Sequence, residues 1–497
     1  MAQAGSQRGV FVVVSPLVDR RRFCRLAGAA ALLASGGALA ACARAVTGRS
    51  AHPRVSQPGI TIVFSPWTAG DAWNSTIITL MQETLASFER QNPGVRVQLV
   101  QPAGGCCNPA ALTAAMVAGT APDVLLNNNF GSYAAGGYFL PLDPYLQRDN
   151  IAVSIWSSQQ IQSFRGWSPV ALLALPVYFN TTAYMVNLSA FDAAGLGYPD
   201  PQWTYAEFTR TAQALSSSTG TSPRYGCNLW FWTEQAWGSD WIFRAFKGAK
   251  VGPGSTTCAL GEQPSLDAAD WIYHEIFWPK VGTAQNTFGG YNAQFTSGRT
   301  VMSVQQTGSL LTAVTDLVSN NMKWDIYPFP VFPAGRAAFG GDQFYALSAR
   351  TKHPDQAWSL LKWLTVGTEW QRAMIKLFLM APALNSLWPE WETIVQAVAP
   401  PLKGKAIQWF SDAAVHGYAY PTSYFRYMDA EAETIIQNYF GGLFARKYTV
   451  RTALTQAAQQ VDVLETSSAG GAAPSLQVQQ AALAAEKRRL QGMFSAG

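Results

Sequence analysis

Between residues 60 and 126 the apolar pattern switches repeatedly between a period of two and a helical period, and that alternation restricts the chain to few folds. Ile60-Thr61-Ile62-Val63-Phe64 is a β-branched run that Pro66 ends. Ile77, Leu80, Met81, Thr84, Leu85 and Phe88 then recur at helical spacing until Asn92-Pro93-Gly94 stops them. Val95, Val97 and Leu99 alternate as a second strand, and residues 109–118 read as a second helix. Gly119-Thr120-Ala121-Pro122 turns into a third strand, Asp123-Val124-Leu125-Leu126. Strand, helix, strand, helix, strand predicts a parallel sheet with crossover helices on its faces, because parallel neighbours need a long connection. In such sheets ligands sit beyond the carboxyl ends of the strands. Here those ends are Ser65-Pro66-Trp67 and Asn127-Asn128-Asn129-Phe130.

A leader precedes this pattern. Asp19-Arg20-Arg21-Arg22-Phe23-Cys24-Arg25 is followed by a small-residue apolar run ending in Leu39-Ala40-Ala41-Cys42. The arginines hold the start of the chain on the cytoplasmic side, and the apolar run is short for a permanent span. The arrangement resembles a bacterial twin-arginine signal with a lipobox, in which a peptidase cuts before the cysteine and the thiol carries diacylglycerol. It implies that residues 1–41 are a signal peptide and that Cys42 is the lipid attachment site, tying the protein to the outer face of the cell membrane. An ordinary cleaved signal with an incidental cysteine is the alternative. Phe11-Val12-Val13-Val14, ahead of the arginines, departs from the pattern, and a start codon near Val14 or Val18 would remove it. Residues 42–57 are Pro, Ser, Gly, Arg and Gln without periodicity and read as a flexible tether.

The chain has a net charge of +5, but five arginines and one aspartate fall within residues 1–41, so the remainder is close to +1. Without a Lys/Arg cluster it has no field to concentrate a polyanion, which argues against nucleic acid as a partner. Charged residues are 13% of the chain, against about 25% in ordinary domains. Much of the surface is therefore uncharged polar or aromatic, a composition suited to sugars, although most rings in any protein serve the core. Of the cysteines, Cys106, Cys107, Cys227 and Cys258 remain once Cys24 and Cys42 are set aside. Export permits pairing. Cys227 with Cys258 closes a loop within one region and is the favoured disulfide, with reduced buried thiols as the alternative; the neighbours Cys106 and Cys107 pair only under strain. No CxxC spacing supports zinc, and nothing in the sequence calls for a metal or cofactor.

Eight further blocks occur in a meaningful order. They are residues 88–97 (Phe88-Glu89-Arg90-Gln91-Asn92-Pro93-Gly94-Val95-Arg96-Val97), residues 118–124, residues 137–145 and Leu175-Pro176-Val177-Tyr178. Then follow Phe191-Asp192-Ala193-Ala194-Gly195-Leu196 with Trp203-Thr204-Tyr205-Ala206-Glu207-Phe208, residues 295–302, Gly340-Gly341-Asp342, and His353-Pro354-Asp355-Gln356-Ala357-Trp358. Together they resemble the extracytoplasmic solute-binding proteins of ABC importers, family 1, the sugar-type group that includes maltose-binding protein. The resemblance implies an α/β, two-lobed periplasmic-binding-protein-like fold of type II, each lobe a sheet flanked by helices, with a hinge between. It sets lobe one at 58–172 plus 336–384, lobe two at 178–330 plus 388–464, and leaves 465–497 as a linker and C-terminal helical tail. It further implies a monomer that is not an enzyme, with a small solute and ABC permease subunits as partners.

A cleft for a neutral polar solute needs flat aromatic surface and fixed hydrogen-bonding groups. The strand ends supply Trp67, Asn128 and Asn129, and the first of the hinge crossings the resemblance implies, near residues 172–180, supplies Tyr178 and Asn180. Asn228-Leu229-Trp230-Phe231-Trp232-Thr233-Glu234-Gln235-Ala236-Trp237 is dense in aromatics. The resemblance places a stacking ring there, for which Trp232 and Trp237 are the candidates, with Trp230 read as core. Ser309 follows the Met302-Ser303-Val304 strand, where relatives carry an aromatic at the position of Leu310. Gly341 and Asp342 complete the set, the carboxylate able to accept two hydroxyls. The best-supported reading is a carrier for a mono- or oligosaccharide or polyol. The alternatives are a polyamine or phosphate ester in the same fold, or a secreted lipoprotein hydrolase. GxSxG, HExxH and GxxxxGK[ST] do not occur, and His52, His274, His353 and His416 are dispersed.

Overall fold

The computed structural model describes residues 59–66, 75–100, 109–126, 130–165, 171–217, 223–231, 238–284, 291–310, 313–314, 322–472 and 488. The opening alternation folds as its periodicity predicts. β1 (Ile60–Ser65), α1 (Ser75–Gln91), β2 (Val95–Leu99), α2 (Pro109–Ala118) and β3 (Val124–Leu125) succeed one another. β1 runs parallel to β2 from Ile60↔Val95 to Phe64↔Leu99 and parallel to β3 at Phe64↔Val124. Asp123 fastens this corner, its carboxylate accepting from Val63 N at 2.8 Å and from Thr351 Oγ1 at 2.6 Å.

Beyond β3 the sheet stops being parallel. The remaining strands are β4 (Leu175–Asn187), β5 (Tyr225–Leu229), β6 (Gly282–Ala284), β7 (Thr300–Gln306), β8 (Trp324–Tyr327), β9 (Val331–Phe332), β10 (Gly335–Arg336), β11 (Ala338–Leu347) and β12 (Ala419–Tyr420). The main sheet runs β2-β1-β3-β11-β4-β7-β5-β6, with β12 beside β11 and β8 beside β4. β11 is antiparallel to β3 and β4, β4 is antiparallel to β7 and β8, and β5 is parallel to β6 and β7. The fold is thus a mixed α/β sheet flanked by helices. Two long antiparallel strands carry the chain from one half to the other and back, which parallel pairing could not do without a crossover at each passage.

Two hydrophobic cores mark the lobes. The first gathers Ile62, Phe64, Leu85, Phe88, Leu125, Phe130, Phe344, Trp358 and Trp370; the second gathers Phe179, Tyr184, Phe208, Trp230, Trp241, Ile272, Phe339, Phe410 and Phe440. β4 passes between them at Tyr178 and Phe179, β11 between Phe339 and Phe344, and the chain returns once more within residues 374–388. Every residue of β4 is buried, the pattern of a strand covered on both faces. Gly340 is required on β11, because a Cβ there would lie 2.5 Å from the ring of Phe179.

The helices that frame the crossing are α3 (Phe130–Ala135) and α4 (Ser158–Ser163) on the first lobe, and α5 (Tyr205–Leu215) and α6 (Asp240–Ala245) on the second. Later come α7 (Pro354–Thr365), α8 (Glu369–Phe378), α9 (Asp429–Phe444) and α10 (Val450–Ala472). The Trp203–Phe208 block turns out to be a capping box for α5: Glu207 N donates to Thr204 Oγ1, and Thr204 N donates to Glu207 Oε2 at 2.7 Å.

Two sequence expectations need correction here. Residues 465–472, read as linker, continue α10. Val450, Ala453, Leu454, Ala458 and Val461 are buried on the second core, and the Glu465 carboxylate accepts from Tyr427 N and Met428 N at 3.0 and 2.8 Å. This docking outweighs the poor helix propensity of Ser467, Ser468, Gly470 and Gly471. Residues 473–487 and 489–497 lie outside the described residues, as do the leader, Cys42 and the tether. The Cys227–Cys258 disulfide is also absent: both are buried free thiols. Cys227 packs in β5 against Gly282 of β6, whereas Cys258 pairs with Val251 and donates its N–H to Asp462 of α10, so different elements hold them.

Candidate functional site

The residues that meet at the passage between lobes are set by strand register. Asn180 of β4 is directly opposite Gly341 of β11, so the two share one face of the sheet. Asn180 is 8% exposed, and its Oδ1 accepts from Thr307 Oγ1 at 3.3 Å, in the single 3-10 turn Thr307–Ser309 after β7. A Cβ on Gly308 would stand 3.1 Å from Asn180 Oδ1 and 3.2 Å from Nδ2, and one on Gly341 would stand 3.4 Å from Asn180 Cβ. Two glycines therefore put bare backbone against an amide that can both donate and accept. Ser309 belongs to the same turn and accepts from Gln305 Nε2 at 3.0 Å.

Phe339, two residues before Gly341 and on the same face, stacks on Trp230 with centroids 4.8 Å apart and planes at 11°. Trp230 is 1% exposed, and its carbonyl accepts from Trp241 Nε1 at 2.9 Å. It is core, as the sequence reading held. Tyr178 is not gathered with Asn180. Its side chain is buried in the first core, and its hydroxyl accepts from Trp370 Nε1 at 2.8 Å. Burial pushes this phenol well above its ordinary pKa, so it stays neutral and holds the crossing in place.

Among the described residues, two buried polar atoms of this sheet have no hydrogen-bond partner. Ser65 Oγ, at the carboxyl end of β1, and Gln343 Oε1, opposite Tyr178 where β11 shifts register, are buried with no hydrogen bond. Such groups cost free energy unless something polar meets them. Trp67, Asn128, Asn129, Trp232 and Trp237 lie outside the described residues. The backbone of Asp342, in β11, lies opposite Phe179 of β4.

Sequence reading missed one segment. The loop at 421–428, between β12 and α9, reaches the first lobe. Tyr424 packs on the first core with its ring 5.8 Å from Phe130, while the next residue, Phe425, belongs to the second core. Gly131 meets the loop so closely that a Cβ would be 3.3 Å from Phe425 O. Nearby, Gln159 of α4 donates to Gly417 O. The available signal was the aromatic density of Tyr418-Ala419-Tyr420-Pro421-Thr422-Ser423-Tyr424-Phe425-Arg426-Tyr427.

A separate groove of about 680 Å³ on the second lobe is lined by Tyr205, Arg210, Phe246, Asp270, Trp271 and His274. It shares no residue with the crossing, and Trp271 Nε1 already donates to Thr209 Oγ1 at 3.0 Å. Among the described residues no group of three or more His, Cys, Asp or Glu is placed to hold a metal ion, and no helix is long and apolar enough to cross a membrane.

The family model for bacterial extracellular solute-binding proteins matches residues 72–366, more than half of the chain. The chain belongs to that family. Solved structures agree on the fold. The cyclic alpha-maltosyl-1,6-maltose binding protein of Arthrobacter globiformis superposes on this solute-binding protein with a TM-score of 0.63 at 16% identity, over 82% of this chain and 99% of that one. An ABC substrate-binding protein from Listeria monocytogenes, in complex with cycloalternan, gives 0.61 at 16% over 82% and 99%. UgpB from Mycobacterium tuberculosis, in complex with glycerophosphocholine, gives 0.61 at 18% over 81% and 98%. The solute-binding protein thus has the type II architecture of binding proteins, in which a hinge between lobes flanks the ligand cleft.

Proposed function

We propose that this solute-binding protein is the capture component of an ABC importer, that its solute is a carbohydrate or polyol, and that it binds without turnover. The observation that carries this reading is the Asn180 amide, held at the joint between two cores, bonded to Thr307 Oγ1 and faced by the backbone of Gly308 and Gly341. A neutral amide with donor and acceptor on one plane suits vicinal hydroxyls, and the low charge of the chain suits an uncharged solute. Among the described residues, the buried Ser65 hydroxyl and Gln343 Oε1 have no partner, and hydroxyls of a solute could meet both. The carbohydrate-bound Listeria structure and the Arthrobacter protein named for its cyclic sugar support the same class.

In this reading Trp67, Asn128, Asn129, Trp232, Trp237, Ser309 and Asp342 complete the cleft, and the lobes, 58–172 plus 336–384 and 178–330 plus 388–464, close over the solute. Tyr178 acts by fixing the hinge. Cys42 carries the lipid, whose acyl chains contribute about 0.8 kcal/mol per buried CH₂ and keep the protein beside its permease. The second reading, a phosphodiester such as a glycerophosphate ester, is favoured by the glycerophosphocholine complex of UgpB.

Titrating the full chain by tryptophan fluorescence with mono-, di- and oligosaccharides, polyols and glycerophosphodiesters tests both. A saturable response to one carbohydrate class supports the first reading. A response confined to the phosphodiesters replaces it with the second, and silence across the panel removes both.

A further inference from the structure

The second lobe buries a charge cluster under the loop that touches the first lobe. Lys250 is fully buried, its Nζ donating to Glu433 Oε1 and standing 3.6 Å from Asp240 Oδ2. Burial works against the Lys250 cation, but Asp240, Glu433 and Asp429 outweigh it and raise its pKa, so it stays charged. The carboxylates around it, with Glu465 next to Asp429, hold the loop at almost every step. Asp240 accepts from Ser423 Oγ, Asp429 from Phe425 N at 2.6 Å, and Glu465 from Tyr427 N and Met428 N. Arg426 N donates to Ser255 O at 2.8 Å. On its outer side the same loop presents Tyr424 to Phe130 and Phe425 to Gly131, and Asp429, at the start of α9, also lies against Gly131.

We propose that Lys250 is a positioning residue for lobe closure: seated among Asp240, Glu433 and Asp429, it fixes the 421–428 loop in the shape that meets Phe130 and Gly131, and the meeting of the lobes is linked to uptake of a proton by the carboxylates beneath. The proposal rests on the reading of the protein as a trap that closes on a solute. One lysine faces more carboxylates than it can neutralise. The Asp429 carboxyl is pushed up to about 8, by burial first and then by Glu433, and Glu433 and Glu465 are raised by burial as well. Arg426 lies beside Glu465, and the Cys258 thiol, its pKa raised by burial, is within reach of Lys250, Glu433 and Asp462; α3, which meets Asp429 from the first lobe, carries no charged residue. When the lobes part, Asp429 gains water on the Gly131 side and its ionised form is better solvated. The contact is therefore favoured while Asp429 holds its proton and weakens as pH rises toward about 8.

Small-angle X-ray scattering of the full chain with no solute added, from about pH 6 to 9.5 with circular dichroism alongside, reads this directly. The wild type is expected to expand as pH rises toward about 8 and to change little above it, with its helical signal unchanged. Asp429→Asn, which keeps the acceptor for Phe425 N, should stay compact throughout. Lys250→Met should be expanded at every pH. If that variant does not fold, Tyr424→Ala, which leaves the cluster intact and removes the ring from Phe130, should be expanded at every pH instead. A radius of gyration that is flat with pH in the wild type, an Asp429→Asn variant that tracks the wild type, or expansion only where the helical signal is lost overturns the proposal. Because no solute is present, this result can fail while the carbohydrate titration succeeds, and the reverse.

Discussion

Asn180 and Gly308 meet across the joint between β4 and the turn that follows β7, so closely that a Cβ at position 308 would stand 3.1 Å from Asn180 Oδ1. That spacing is tighter than ordinary van der Waals contact, and the amide is already tied to Thr307. Gly308→Ala should turn the amide away and weaken binding of whichever solute gives the saturable response, by about 1–2 kcal/mol or roughly ten-fold. Its thermal midpoint should move little, because the turn is short and lies at the edge of the core. Unaltered affinity by calorimetry would remove Asn180 from the binding set.

Trp230 is stacked on Phe339 and fully enclosed. Trp230→Ala should cost about 3–5 kcal/mol of stability, seen as a lower denaturant midpoint. A loss under about 1 kcal/mol would mean the ring serves something other than the core.

Much of the first lobe was legible because its signals are local. The β1 to β3 alternation needs only neighbours in sequence, and the helix at residues 109–118 begins and ends where its Pro and Gly predict. The pairing of Gly341 with Asn180 is different, joining residues far apart in the chain, and no period in either strand announces that they run antiparallel. The crossing was therefore found through its resemblance to a family, and its detail, the glycine at 308 against the amide, was not. The 421–428 loop escaped for the same reason. Its tyrosines look like any aromatic turn until Phe130 is brought opposite Tyr424. Gly470 and Gly471 misled in the other direction, because tertiary docking of α10 overrides local propensity.

The proposed lipid attachment at Cys42 can be tested apart from binding. Cys42→Ala in the exporting host should move the protein from the detergent phase to the aqueous phase, since two or more acyl chains are needed for stable anchoring. Solute affinity should be unchanged. Continued partition into detergent would exclude the lipobox.

The first lobe carries its own pH dependence at Asp149. Its carboxylate accepts from Arg148 Nε at 2.7 Å, Lys362 Nζ at 2.5 Å and Trp358 Nε1 at 2.9 Å, so it joins helix α7 to the segment after Arg148. Burial alone would raise its pKa, but the bonds from Arg148, Lys362 and Trp358 outweigh burial and hold it well below the usual carboxylate range. A depressed folded-state value means that the stabilisation is in place above the unfolded value near about 4 and is lost as pH falls below it. The pair is partly solvated, with Asp149 15% and Arg148 19% exposed, so the contribution is about 1–2 kcal/mol rather than that of a fully enclosed ion pair. Asp149→Asn should lower the denaturant midpoint at pH 7 and flatten the loss of stability between about pH 4 and pH 2 that the wild type shows. If both proteins lose stability in parallel over that range, Asp149 is not the group that makes the lobe acid-sensitive.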